Sequence, residues 1–124
     1  EGINPESLEE LAQKHKIKVL ISSANAQNPL GFTMSDERKK RILKICKKYN
    51  IRIIEDDLYG ELCFQKNRPK TYKYFDKDNI VTYCSSFSKF LGPGLRIGWC
   101  IPSKNAQTYL RHKLSLNLST TSIS

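Results

Sequence analysis

The run SDERKKRILKICKKYNIRIIEDDLY, Ser35 to Tyr59, decides most of the fold. Ser35 is a capping residue, and Asp36 and Glu37 follow it in a first turn, where negative charge meets the positive end of a helix dipole. Ile42, Leu43, Ile45, Cys46 and Tyr49 then recur at helical spacing and form one apolar stripe. Most of the basic residues lie off that stripe. Asn50 closes the helix, and Ile51-Arg52-Ile53-Ile54-Glu55 follows as a mostly apolar run suited to a buried strand.

The same unit recurs on both sides. Upstream, Asn4-Pro5 offers a capping side chain and then proline at the first helical position. Leu8, Leu11, Ala12 and His15 continue it with helical spacing, His15 on the surface. Ile17 to Ser22 reads as a strand, and residues 23 to 34, with Asn25, Asn28-Pro29 and Gly31, as a loop. Downstream, residues 65 to 79 are polar and irregular. Ile80 to Cys84 is a third strand, Ser85 to Leu95 a loop holding Gly92-Pro93-Gly94, and Arg96 to Ile101 a fourth strand. A helix is expected from Pro102 to about Leu116. Alternating helices and strands predict an α/β fold, a mostly parallel sheet with flanking helices.

At 124 residues the chain suffices for one core. It opens on Glu1-Gly2-Ile3-Asn4-Pro5 without an initiator Met, and it trails off after Leu118, so it is expected to be an internal piece of a longer protein. No apolar run approaches a membrane span. Cys46, Cys63, Cys84 and Cys100 form no C-x-x-C pair and have no His at ligand spacing, so no metal site is expected. They read as buried, reduced thiols of a cytoplasmic protein. The formal charge is +9, much of it on Arg38-Lys39-Lys40-Arg41, Lys44, Lys47 and Lys48. That stretch reads as a solvated helix face. Its alternative is a nucleic-acid-binding module, but no aromatic residue interleaves the charges in sequence.

In a parallel sheet, ligands gather beyond the carboxyl ends of the strands. Asn28 follows the first strand, Asp56, Asp57 and Tyr59 the second, and Ser85, Ser86, Ser88 and Lys89 the third. Taken singly, each is ordinary: a turn, a strand-end cap, a common Ser-x-Ser-Lys. Together they bring an amine able to form an imine, hydroxyls and Arg96 suited to a phosphate, and a carboxylate able to hold a pyridinium protonated. Those are the parts that pyridoxal phosphate asks of a protein. A dinucleotide fold fails on spacing. Gly92, Gly94 and Gly98 miss the G-x-G-x-x-G register and precede a strand.

Four blocks carry a resemblance to the fold-type I, class I/II aminotransferases. They are Gln27-Asn28-Pro29-Leu30-Gly31, Ile53 to Leu62, Ser85-Ser86-Phe87-Ser88-Lys89, and Gly92 to Trp99. The resemblance implies part of a large PLP-dependent transferase-like domain, with its N-terminal part and the C-terminal small domain absent. It implies that Lys89 holds pyridoxal 5'-phosphate as a Schiff base and later shuttles the substrate's proton. Asn28 and Tyr59 would meet the ring's phenolic oxygen and Asp56 its nitrogen, with Asp57 only a neighbour. Ser86, Ser88 and Arg96 would hold the phosphate. Leu30 departs from the family's usual Thr.

The Cys84 to Lys89 block, Pro93 to Trp99 and Leu118-Ser119-Thr120-Thr121-Ser122 resemble, more narrowly, the aminotransferase-like domain of MocR-type GntR transcriptional regulators. That resemblance implies a separate N-terminal winged-helix domain for DNA, an amino acid or amine ligand, and a homodimer of the full-length protein. A free-standing aminotransferase of α-amino acids is the alternative. The chain by itself is expected to be inactive and to bind the cofactor weakly or not at all.

Overall fold

The computed structural model describes residues 1–64, 66–104 and 106–116, without the side chains of 106, 114 and 116. Its elements are α1 (Pro5–Lys14), β1 (Val19–Ser22), α2 (Asp36–Lys48), β2 (Arg52–Asp56), α3 (Tyr72–Phe75), β3 (Val81–Ser86), β4 (Gly98–Ile101) and α4 (Ala106–Leu116). The four strands form one sheet in chain order. β1, β2 and β3 are parallel and β4 is antiparallel to β3. The expected α/β class, with a mostly parallel sheet and flanking helices, is the observed one.

The helix starts follow from local chemistry. Asn4 accepts the Ser7 N–H at 2.8 Å and Ser35 accepts that of Arg38 at 3.3 Å, each satisfying an amide with no partner inside the helix. α2 ends at Lys48 with Tyr49 as its C-cap, and Asn50 follows with a φ of 55°, in the left-handed region that asparagine tolerates. Leu8, Met34, Ile42, Cys46, Ile53, Tyr72 and Val81 belong to one core between the sheet and its helices. The opposite sheet face is open, with Val19, Ile21 and Ile54 exposed.

Several expectations are corrected. Residues 65 to 79 are not merely irregular, since they contain α3, capped by Thr71 and anchored by the fully buried Tyr72. Pro102 starts no helix; α4 begins at Ala106. Arg96 does not begin the fourth strand but sits before it with φ 51°. Of the cysteines only Cys46 is buried, where burial pushes its thiol up to about 12; Cys63 and Cys84 are half-buried and Cys100 is exposed. The basic stretch is a solvated face at Lys40, Arg41, Lys44, Lys47 and Lys48, with one exception. Lys39 is fully buried, and Arg38, Arg41 and Lys48 pair with Glu1, Glu6 and Glu9. Leu118 to Ser122 lies outside the described residues.

Candidate functional site

Strand polarity builds the rim. Three parallel strands end at Ser22, Asp56 and Ser86, so the segments that follow them leave the sheet on one side. Because β4 runs back against β3, its first residue, Gly98, pairs with Ser86 at that same edge. The hairpin loop between them carries Ser88, Lys89 and Arg96.

The loop after β1 closes on itself before it reaches Asn28. The Met34 N–H donates to Ala24 O at 2.8 Å, and the Gln27 N–H to Phe32 O at 2.9 Å. At the tip, Gln27 Oε1 accepts the Leu30 N–H at 3.1 Å, and its Nε2 donates to Asn28 O at 2.6 Å. Gly31 sits there with φ 71°, which glycine adopts without strain. The Asn28–Pro29 peptide is cis. Asn28 then reaches across to the next strand's turn, where its Nδ2 donates to Tyr59 Oη at 3.4 Å.

Phe87 anchors the lysine turn. Its N–H donates to Ile97 O at 3.0 Å, and its carbonyl accepts the N–H groups of Leu91 and Gly92. Its ring lies 5.0 Å from that of Trp99 and 5.6 Å from that of Phe90. Ser86 Oγ accepts the Ser88 N–H at 3.3 Å. With its flanks pinned, Lys89 projects outward, and its ammonium lies 5.7 Å from the centre of the Tyr59 ring. Asn28, Tyr59 and Lys89, from three separate segments, thus form one chain of neighbours. Arg96 stands on the far arm of the hairpin, and its Nη1 donates to Pro93 O at 3.4 Å.

Asp56 and Asp57 part company because strand side chains alternate. Asp57 is 1% exposed and faces the helices with Glu55; Asp56 is half-buried on the other face. Its strand partner there is Cys84, which pairs in turn with Cys100. Burial, the Cys100 thiol and Asp56 push the Cys84 thiol up to about 11. Among the described residues no ion pair engages Asp56, Lys89 or Arg96. Of the expected site residues, Asn28, Tyr59 and Lys89 are brought together, whereas Ser86 meets Ser88 and Arg96 meets Pro93. No group of three metal-ligating side chains gathers among the described residues.

Four residues escaped the sequence reading: Asn25, Lys39, Glu55 and Arg68. Lys39 was hidden by its basic neighbours, although it falls three residues before Ile42, on the apolar stripe. Glu55 is fully buried, and its carboxylate accepts the N–H groups of Tyr72 and Lys73 at 2.6 and 2.9 Å. Burial raises its carboxyl to about 7, against the downward pull of those two amides.

The family model described as aminotransferase class I and II matches residues 2–124. The Escherichia coli uncharacterized HTH-type transcriptional regulator YdcR is 42% identical over 122 residues, 98% of this chain and 26% of the regulator. Aromatic-amino-acid aminotransferase 1 of Thermococcus litoralis is 40% identical over 104 residues, 80% of this chain and 25% of that protein. The crystal structure of Pyrococcus horikoshii kynurenine aminotransferase superposes with a TM-score of 0.81 at 38% identity, covering 93% of this chain and 29% of that one. The chain spans about a quarter of the length of these curated relatives.

Proposed function

The chain belongs to the class I and II aminotransferase family, and we propose that it is the piece of the large domain that holds pyridoxal 5'-phosphate, in a GntR/MocR-type transcriptional regulator. The observation that carries the cofactor site is the meeting of Asn28, Tyr59 and Lys89 at the rim where β1, β2 and β3 end. Lys89 would hold the cofactor covalently through its amine. Asn28 and Tyr59 would hold the ring's oxygen, Asp56 would keep its nitrogen protonated, and Ser86, Ser88 and Arg96 would hold the phosphate. When bound, the group supplies an aldehyde that condenses with amines and a ring that takes up electron density from the α-carbon. Lys89, exposed with its ammonium 5.7 Å from the centre of the Tyr59 ring, would be the residue to move a proton there.

The regulator reading is supported by the similarity to YdcR across nearly the whole chain. In it, the ligand is an amino acid or amine, DNA is bound by a separate N-terminal domain, and the protein works as a homodimer in the cytoplasm. The second reading, a free-standing aminotransferase of α-amino acids, is favoured by the 40% identity to the Thermococcus litoralis enzyme. No helix of the described residues is long and apolar enough to cross a membrane.

The test is made on the purified protein that carries this chain with its flanking sequence. Added pyridoxal phosphate should give a visible absorbance band, and borohydride should fix a pyridoxyl label on the peptide holding Lys89. Lys89→Ala should lose both. A label and band that survive in Lys89→Ala would overturn the assignment. DNA retardation by the same preparation, with no amino-group transfer, favours the regulator; transfer without DNA binding favours the enzyme.

A further inference from the structure

We infer that Asn25, Lys39, Asp57 and Arg68 form a buried positioning network that fixes the Asn28 loop against the turn carrying Asp56 and Tyr59. The inference rests on the reading of that rim as a cofactor site.

The network is continuous. Lys39, 0% exposed at the end of the first turn of α2, donates through its ammonium to Asn25 Oδ1 at 2.8 Å and to Lys70 O at 2.6 Å. With its oxygen engaged, the Asn25 amide turns its Nδ2 to Asp57 Oδ1 at 3.0 Å. Asp57 Oδ2 accepts from Arg68 Nη2 and, at 3.0 Å, from Tyr83 Oη. Arg68 Nε also reaches Glu61 at 2.5 Å. The Asp57 backbone is held as well, its N–H donating to Cys84 O and its carbonyl accepting from Ser85 Oγ, both at 3.0 Å.

Stability alone is a poor reason for such an arrangement. Charges removed from water lose hydration that their mutual attraction barely restores, and apolar replacements of similar volume are often neutral or stabilising. What this network does that apolar packing would not is fix directions. Its arms end on the segments of the rim. Asn25 lies three residues before Asn28, Asp57 two before Tyr59, and Ser85 one before Ser86. Asp56 sits between two anchored neighbours, Glu55 held by α3 and Asp57 held by the network, so alternation along β2 turns its carboxylate to the opposite face. Lys39 thus acts on the rim only through Asn25 and Asp57, as a positioning residue.

The experiment uses the protein that carries this chain, with the variants Lys39→Met, Asn25→Ala and the milder Asp57→Asn. Ile42→Ala serves as control, since Ile42 is a fully buried core residue. Two quantities are read: the affinity for pyridoxal phosphate with the pH titration of its visible band, and hydrogen exchange of amides 26–28, 30–31 and 58–60 without cofactor. The network variants should weaken binding on the order of ten-fold, as loss of an outer partner does for the groups it orients. They should also move the titration midpoint and speed exchange in both segments. Ile42→Ala should lower the unfolding midpoint and leave binding, titration and exchange in those segments unchanged. Network variants that behave as Ile42→Ala does, including Asp57→Asn if the others fail to fold, overturn the inference. A wild type that ignores pyridoxal phosphate sinks the cofactor reading instead, and the exchange measurement still decides the network.

Discussion

Glu55→Gln should change how stability depends on pH. Glu55 is wholly buried, and burial raises its carboxyl from 4.5 to about 7, while the Tyr72 and Lys73 N–H groups and Lys39 pull it down. Between those two values the folded chain binds a proton that the unfolded chain has released. Stability from this residue is therefore full below pH 4.5, falls as pH rises, and levels off above about 7. At about 1.4 kcal/mol per unit of pKa shift, the window holds about 3 kcal/mol.

Glutamine does not titrate, so this slope disappears. It also faces one of the two N–H donors with an amide NH2 instead of an oxygen, a loss of about 1–3 kcal/mol. Near pH 5 the variant should be less stable by that amount. Near pH 8 the removed ionisation penalty offsets the loss, and the variant should equal or exceed the wild type. Urea unfolding at steps from about pH 4.5 to about pH 8, followed through Trp99, the chain's one tryptophan, measures the difference between the two proteins. That difference should change by about 3 kcal/mol across the window. Parallel curves would mean that Glu55 does not titrate there and that the burial argument is wrong.

Gly60→Ala should destabilise the chain by about 1–3 kcal/mol, as overpacking does. A Cβ there would lie 2.6 Å from Asp57 Oδ1 and 2.9 Å from Arg68 Nη2; urea unfolding checks it, and an unchanged midpoint would mean that the two partners are free to move aside. Cys84 and Cys100 are direct partners across β3 and β4. Phe87 and Ile97 are a hydrogen-bonded pair of that ladder, and such pairs alternate, so the cysteines occupy a non-hydrogen-bonded pair. There the Cα atoms stand about 4.5 Å apart, within disulfide range. Diamide treatment should join these two thiols in preference to any other pair, and a peptide map linking Cys46 or Cys63 instead would contradict the register of β4.

Period and punctuation made the helices and strands legible in the sequence. Asn4 and Ser35 announced their helices because a cap is a local matter, settled within three residues. The rim was legible too, because parallel strands deliver their following residues to one edge whatever the details of packing. What escaped depends on contacts far apart in sequence. α3 is short, and its place is set by Tyr72 and Lys73 donating to Glu55, seventeen and eighteen residues earlier. Lys39 looked like one more surface lysine, because composition records its charge and not the Asn25 oxygen and Lys70 carbonyl that receive it.

The three acidic residues Glu55, Asp56 and Asp57 condense the matter. Composition treats them as one negative cluster, whereas the family resemblance already points to Asp56 and makes Asp57 a neighbour. The two-residue period of a strand separates them. Glu55 and Asp57 turn to the helix face, where backbone amides, Asn25, Arg68 and Tyr83 consume their acceptor capacity. Asp56 turns to the other face, where the nearest strand partner is a cysteine. A carboxylate saturated by buried donors has little capacity left for a ligand, so the proposed role toward a ring nitrogen falls to the half-buried Asp56. A one-residue slip of β2 against its neighbours would exchange these roles, which is why the pairing of Ile53 with Val81 matters to chemistry at the far end of the strand.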